Sequence, residues 1–214
     1  EDMLGLSAWE AANTNILKDV LPEVESRTLS QLGNAAAQHN MYLICSTDIL
    51  SKHNTIQNTS FFIGRDGKEI GRYHKIMLPV QETRKEPGTD FPVFETNDLG
   101  GVGMLICYDM VFPEAARCLA LGGADIIFNP TVGGAAFGGP DISRAAFRTR
   151  AAENFVYIVV SWGGWGTDTG SFIISPNGDI IAEEKEPGTI AIADIDPFSG
   201  RECADWSNAQ QDMR

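Results

Sequence analysis

The stretch Gly101–Pro130, GVGMLICYDMVFPEAARCLALGGADIIFNP, constrains the fold more than any other part of the chain. Val102, Met104, Leu105 and Ile106 form a continuous apolar run, the pattern of a strand covered on both faces. The run stops at Cys107. Tyr108–Phe112 then leads into Pro113-Glu114, where proline suits the first helical position and an acidic side chain in the first turn complements the helix dipole. The whole stretch reads as strand, sharp turn, helix, turn, strand. Cys107 therefore falls at a strand's carboxyl end, the edge at which open α/β sheets bind ligands. A buried cysteine acting as a small hydrophobe is the plainer reading of such a residue. The polar neighbours Tyr108 and Asp109 count against it.

A chain of 214 residues with 43% hydrophobic and 21% charged residues has the make-up of one ordinary globular domain over 1–214. Its net charge of −13 argues against nucleic acid and anionic membrane as partners, because both reward clustered Lys and Arg. Cys45, Cys107, Cys118 and Cys203 form no C-x-x-C pair and no dense framework, which points to a reducing, cytoplasmic setting without a structural zinc. There is no run of 18 apolar residues and no signal-peptide pattern. The chain opens on Glu1 and not on Met, which reads as a start inside a longer protein.

Residues 1–20 show little periodicity, and Leu21-Pro22-Glu23 opens a helix with apolar positions Leu29, Leu32, Ala35 and Ala36 that ends near His39-Asn40. Met41–Cys45 and Thr59–Ile63 read as strands, and Gly64-Arg65-Asp66-Gly67 is a hairpin turn to a partner strand over Lys68–Lys75. Pro79 and Pro87-Gly88 break the next segment into a charged loop holding Glu82, Arg84, Lys85 and Glu86, most of which read as solvated surface. Pro92-Val93-Phe94 then leads into the strand that ends at Cys107. Beyond the central unit, Asp141 is the expected N-cap of a helix over Ile142–Asn154, in which Arg148 and Glu153 are expected in surface or inter-helix ion pairs. Val156–Ser161, Ser171–Ser175, Asp179–Ala182 and Thr189–Ile195 read as strands, with a glycine-rich loop at Gly163–Gly170. Strand-helix-strand units with hairpins point to an α/β layered fold with a mixed sheet.

His39, His53 and His74 form no metal-ligand spacing, and neither a G-x-S-x-G elbow nor a nucleotide-binding glycine motif is complete. A Cys107 nucleophile without histidine must pass its proton to a carboxylate, and a cation or backbone N–H groups must meet the developing oxyanion. That narrows the search to Glu and Lys.

Here the chain resembles the nitrilase, or carbon–nitrogen hydrolase, superfamily. Arg72-Tyr73-His74-Lys75-Ile76-Met77-Leu78-Pro79 is similar to its lysine motif, and Cys107-Tyr108-Asp109 with Phe112-Pro113-Glu114 and Arg117 to its nucleophile motif. The two occur in the family's order and at a similar interval. Gly122–Asp125 to Asn129-Pro130, Arg148–Asn154 and Ser171–Gly178 resemble later structural blocks. The resemblance implies a four-layer α-β-β-α sandwich lacking its first strand-helix-strand segment. It also implies a Glu-Lys-Cys triad and cofactor-independent hydrolysis of a non-peptide C–N bond. Carried over, Cys107 is the nucleophile, Lys75 the oxyanion-stabilising cation and the Tyr108 backbone N–H its second donor. Glu82 is similar to the accessory glutamate, with Glu86 as its rival. Glu1, followed by Asp2-Met3-Leu4-Gly5, fits the general base better than Glu23, which opens a helix. Thr131, at the head of the pocket-shaping loop Thr131–Gly139, is expected to touch substrate.

Tyr108-Asp109 after the nucleophile resembles the amidase and carbamoylase branches more than nitrilases, so the expected substrate is a small amide or N-carbamoyl compound. A homodimer or higher homo-oligomer is the expected assembly. Two other readings stand beside this one: an inactive member of the fold serving as a binding or assembly module, and a redox-sensing thiol protein.

Overall fold

A computed structural model describes residues 7–132, 139–163, 170–186 and 188–202. The chain divides into two compact units, Glu1–Asp90 and Phe91–Arg214.

In the first unit, helix α1 (Ser7–His39) precedes strands β1 (Leu43–Leu50), β2 (Ile56–Ile63) and β3 (Glu69–His74). The strands pair antiparallel in the order β1-β2-β3. The helix begins well before Leu21 and carries Pro22 inside it. Weak periodicity had hidden its first turns, yet Leu17 and Leu21 are fully buried against Ile56. Leu29, Leu32 and Ala36 pack lower down on Cys45, Ile49, Phe61 and Ile63, so α1 covers one face of the sheet. Each fully buried member of these clusters, such as Leu17, Leu21, Phe61 or Ile63, contributes roughly 1.5–3 kcal/mol. The strand expected at Met41–Cys45 runs on to Leu50, because Ser46, Thr47 and Asp48 are polar but buried. The turn at 64–67 closes as expected: Gly67 lies at φ 78°, and its N–H donates to the Gly64 carbonyl at 2.9 Å.

The second unit holds β4 (Val93–Thr96), β5 (Gly100–Met104), α2 (Pro113–Leu121), β6 (Ala124–Thr131), α3 (Pro140–Asn154), β7 (Tyr157–Trp162), β8 (Ser171–Ile174) and β9 (Ile180–Glu184). They form a six-stranded sheet in sequence order. β5, β6 and β7 run parallel, while β4, β8 and β9 are antiparallel additions. Three sequence expectations change. The segment from Val93 to Cys107 is a hairpin of two strands, turned where Thr96 Oγ1 accepts from the Leu99 N–H and donates to the Gly100 carbonyl. Gly139 is the N-cap of α3, with Pro140 in the first helical turn and Asp141 after it. Residues 189–195 form no strand: Ile190 and Ile192 are 77% and 78% exposed, so their β pattern meets no partner strand among the described residues.

Helix α2 sits close on β5 because Gly103 has no side chain: a Cβ there would stand 3.0 Å from the Leu119 side chain. The short connection between β5 and α2 carries Cys107.

Candidate active site

The first unit assembles a buried charge cluster from four elements. Asp48 of β1 and Asn58 of β2 are register partners, on the opposite side of their strands from Ile49 and Phe61, which pack on α1. Lys75 follows β3, its N–H donating to the Asn58 carbonyl at 2.9 Å. A short 3-10 helix, Val80–Glu82, and the turn after it bring in Glu82 and Lys85. All five side chains are buried.

Lys75 Nζ donates to Glu82 Oε2 at 2.6 Å. The other oxygen, Oε1, accepts from Asn58 Nδ2 at 2.9 Å and from Lys85 Nζ at 3.2 Å. Lys85 Nζ also donates to both Asp48 oxygens, at 2.7 and 2.9 Å. Burial pushes the Glu82 carboxyl upward. The Lys75 and Lys85 ammonium groups, with hydrogen bonds from Lys75 and Asn58, outweigh it and hold the group below its ordinary value. Glu82 is therefore an ionised, acceptor-only carboxylate at neutral pH.

Glu86 goes elsewhere. Its carboxylate takes hydrogen bonds from Thr55, from Ser51 at 2.8 Å and from the His53 ring at 2.8 Å, which lower it to about 2. It borders a cleft of about 360 Å³ that Arg72 and His74 also line. Of the two rival glutamates, only Glu82 is in contact with Lys75.

In the second unit, β5 ends at Met104 and not at Cys107. Leu105 and Ile106 continue beside β6, the Leu105 N–H donating to the Phe128 carbonyl at 2.9 Å. Cys107 then opens a 3-10 helix, Cys107–Val111, at φ 45°. Left-handed backbone at a side-chain-bearing residue is uncommon and costs roughly 1–2 kcal/mol. Asp109, fully buried, braces the turn: Oδ2 accepts the Ile106 N–H at 2.8 Å, and its own N–H donates to the Ile106 carbonyl at 3.1 Å. Tyr108 stacks edge-on against Phe112, ring centroids 5.4 Å apart. Cys107 itself is half-buried. Thr131 is buried at the carboxyl end of β6, and its carbonyl accepts the Gly163 N–H at 2.7 Å.

Glu1 lies outside the described residues, as do residues 133–138 of the loop after Thr131, residues 164–169 of the glycine-rich loop, and Cys203. Arg148 donates to the Gly178 carbonyl at 2.7 Å, and Glu153 pairs with Arg150 on its own helix. Asp48, Asn58 and Lys85 were not marked by sequence pattern. Lys85 sat in a run of charges that reads as surface, and its partner Asp48 is 37 residues away. Among the described residues no group of three or more His, Cys, Asp or Glu side chains is arranged to hold a metal ion, and no helix is long and apolar enough to cross a membrane.

Comparison with known proteins bears on what these groups do. The deaminated glutathione amidase of Synechocystis sp. is 34% identical over 157 residues, which make up 65% of this chain and 57% of that protein; the chain thus spans little more than half of the relative's length. The crystal structure of Saccharomyces cerevisiae Nit3, a member of branch 10 of the nitrilase superfamily, matches with a TM-score of 0.74 at 30% identity, covering 84% of this chain and 70% of Nit3. A mutant of the amidase from Nesterenkonia sp. AN1, with the acetamide moiety of fluoroacetamide covalently added at the active-site cysteine, matches with a TM-score of 0.71 at 25% identity over 88% of this chain and 74% of its own. The fold is therefore nitrilase-like. Since the carbon-nitrogen hydrolase family model matches residues 5–205, nearly the whole chain, the protein belongs to the carbon–nitrogen hydrolase family.

Proposed function

We propose that this protein hydrolyses the C–N bond of a small amide or N-carbamoyl compound through a thioester on Cys107, with Lys75 and Glu1 completing a Glu-Lys-Cys triad. The observation that carries the proposal is the left-handed backbone of Cys107 at the turn between β5 and α2. Strain held in place by a buried brace such as Asp109 is characteristic of functional turns, where it exposes a nucleophile that a relaxed strand end would turn aside. The covalent addition at the active-site cysteine of the Nesterenkonia amidase supports the same role for Cys107.

On this reading Glu1 accepts the Cys107 Sγ proton as sulfur attacks the carbonyl carbon. The oxyanion is met at about 3 Å by Lys75 Nζ and the Tyr108 N–H. Collapse of the intermediate breaks the C–N bond, and Glu1 passes the proton to the departing ammonia or amine. Glu1 then takes a proton from water, whose oxygen adds to the thioester carbonyl. The C–S bond breaks, the acid leaves, and the thiolate recovers its proton from Glu1. Glu82, ionised and bonded to Lys75, holds the ammonium in place and takes no proton itself.

A panel of primary amides, N-carbamoyl compounds and nitriles, followed by mass detection of product and of the acylated protein, tests the proposal. Turnover of an amide or carbamoyl compound, with an acyl group on Cys107 that Cys107→Ala cannot form, is the expected result. Preferential turnover of a nitrile overturns the substrate class. A folded protein that binds amides without acylation is instead an inactive binding module.

A further inference from the structure

We propose that Lys85, held by Asp48, is a positioning residue that fixes Glu82 against Lys75 for the hydrolysis. The inference rests on the function proposed above and adds two residues to it.

The argument begins with the shape of the cluster. Asp48, Lys85, Glu82 and Lys75 alternate in sign along one chain of contacts, at 2.7, 3.2 and 2.6 Å. A carboxylate held through one oxygen pivots about its terminal bond. Glu82 is held through both, Oε2 by Lys75 and Oε1 by Lys85 and Asn58, so it cannot turn without breaking a charged contact. Lys85 also takes up part of the Glu82 charge. The Lys75 ammonium then keeps more of its field for an oxyanion than it would in an isolated pair with Glu82. Asp48 in turn holds the Lys85 ammonium at both carboxylate oxygens, which fixes where Lys85 stands.

Stability alone is a poor reason for this arrangement. Burying four charges costs desolvation that their attraction only partly offsets, and an apolar pair of similar volume is often as stable as a buried ion pair. A buried pair whose far end grips a group in contact with Lys75 has a use that an apolar pair lacks.

The test separates position from fold. The double variant D48N/K85M removes both buried charges of the outer pair and leaves Lys75 and Glu82 intact. Its thermal midpoint is expected close to that of the wild type, while kcat on the best amide of the panel falls roughly 10- to 100-fold with KM little changed, the size of effect that a small misplacement of a positioning group produces. The variant D48N/K85Q keeps hydrogen-bonding groups at both positions and leaves neither charge unpaired. It is expected to fold, to lose kcat in the same way, and to carry the test if D48N/K85M does not fold. A folded variant of either kind with wild-type kcat overturns the inference, and leaves the Cys107 reading standing on its own acylation result.

If the wild type acylates with no amide, the function proposed above fails, and titration of the Glu82 side-chain carboxyl by carbon NMR decides the inference separately. Among the described residues the charged groups in contact with Glu82 are Lys75 and Lys85, Asp48 stands behind Lys85, and Asn58 is a neutral donor. Losing Lys85 with Asp48 removes the nearer cation and the more distant anion, so the Glu82 midpoint should rise. An unchanged midpoint overturns the inference.

Discussion

Cys107 joins two things, the thiol of the proposed nucleophile and a backbone at φ 45° that any residue but glycine adopts at a cost. The two separate by substitution. Cys107→Ala and Cys107→Gly should both end turnover, since neither forms a thioester. Glycine relieves the left-handed strain and alanine does not, so Cys107→Gly should be the more stable of the two by about 1 kcal/mol. Urea unfolding of both variants checks this; equal stabilities would mean that the turn stores no strain. Lys75 is read in the same way. Its ammonium is buried and bonded to Glu82, and on the proposed mechanism it meets a charge that exists only near the transition state. Lys75→Met should lower kcat by roughly 10²–10³ with little change in KM. A raised KM at unchanged kcat would make Lys75 a substrate-binding residue only.

At the scale of elements, helix α1 meets the hairpin between β2 and β3 at a place where helix propensity and packing disagree. A Cβ on Gly33 would stand 2.4 Å from the Gly67 carbonyl oxygen, and Gly67 itself needs its positive φ for the turn. Alanine is the better helix former by roughly 1 kcal/mol. Gly33→Ala should nevertheless destabilise, because the contacting atom is backbone and cannot swing aside; a raised thermal midpoint would show that the helix shifts freely on the sheet. What could be read in advance followed the same division between local and distant causes. The hairpin around 64–67, the apolar run before Cys107 and the Pro113 start of α2 were legible, since each is set by neighbours in sequence. The early turns of α1, the extension of β1 through Ser46–Leu50 and the absence of a strand at 189–195 were not, since distant partners decide them. In the site, the lysine and cysteine motifs could be read locally. The grip of Asp48 on Lys85 could not, and neither could the choice between Glu82 and Glu86 as the neighbour of Lys75.

At the scale of the whole molecule, acidification acts in two opposing ways that fall in different pH windows. The chain carries −13 at pH 7 and has a pI near 4.5, so lowering the pH from neutrality relaxes repulsion among surface carboxylates and favours the compact state. Added salt should imitate this at pH 7, because exposed charges are screened over about 8 Å at physiological ionic strength while the buried Glu82 cluster is screened far less. Glu82 acts in the other direction. Its carboxyl lies below the ordinary value of 4.5 in the folded protein, so its contribution to stability is complete above that pH and is lost as the pH falls through the lower folded value. Protonation there would also leave Lys75 and Lys85 facing a neutral group inside the fold. Stability should therefore rise slightly as the pH falls from 7 toward the ordinary carboxylate range and drop once the pH passes through the lower folded value of Glu82. Glu82→Gln should be less stable at neutral pH yet lose less on going to acid, since it has no proton to take up at that position. Denaturant unfolding of both proteins across this range provides the measurement, and parallel acid limbs would place the origin of acid sensitivity outside the Glu82 cluster.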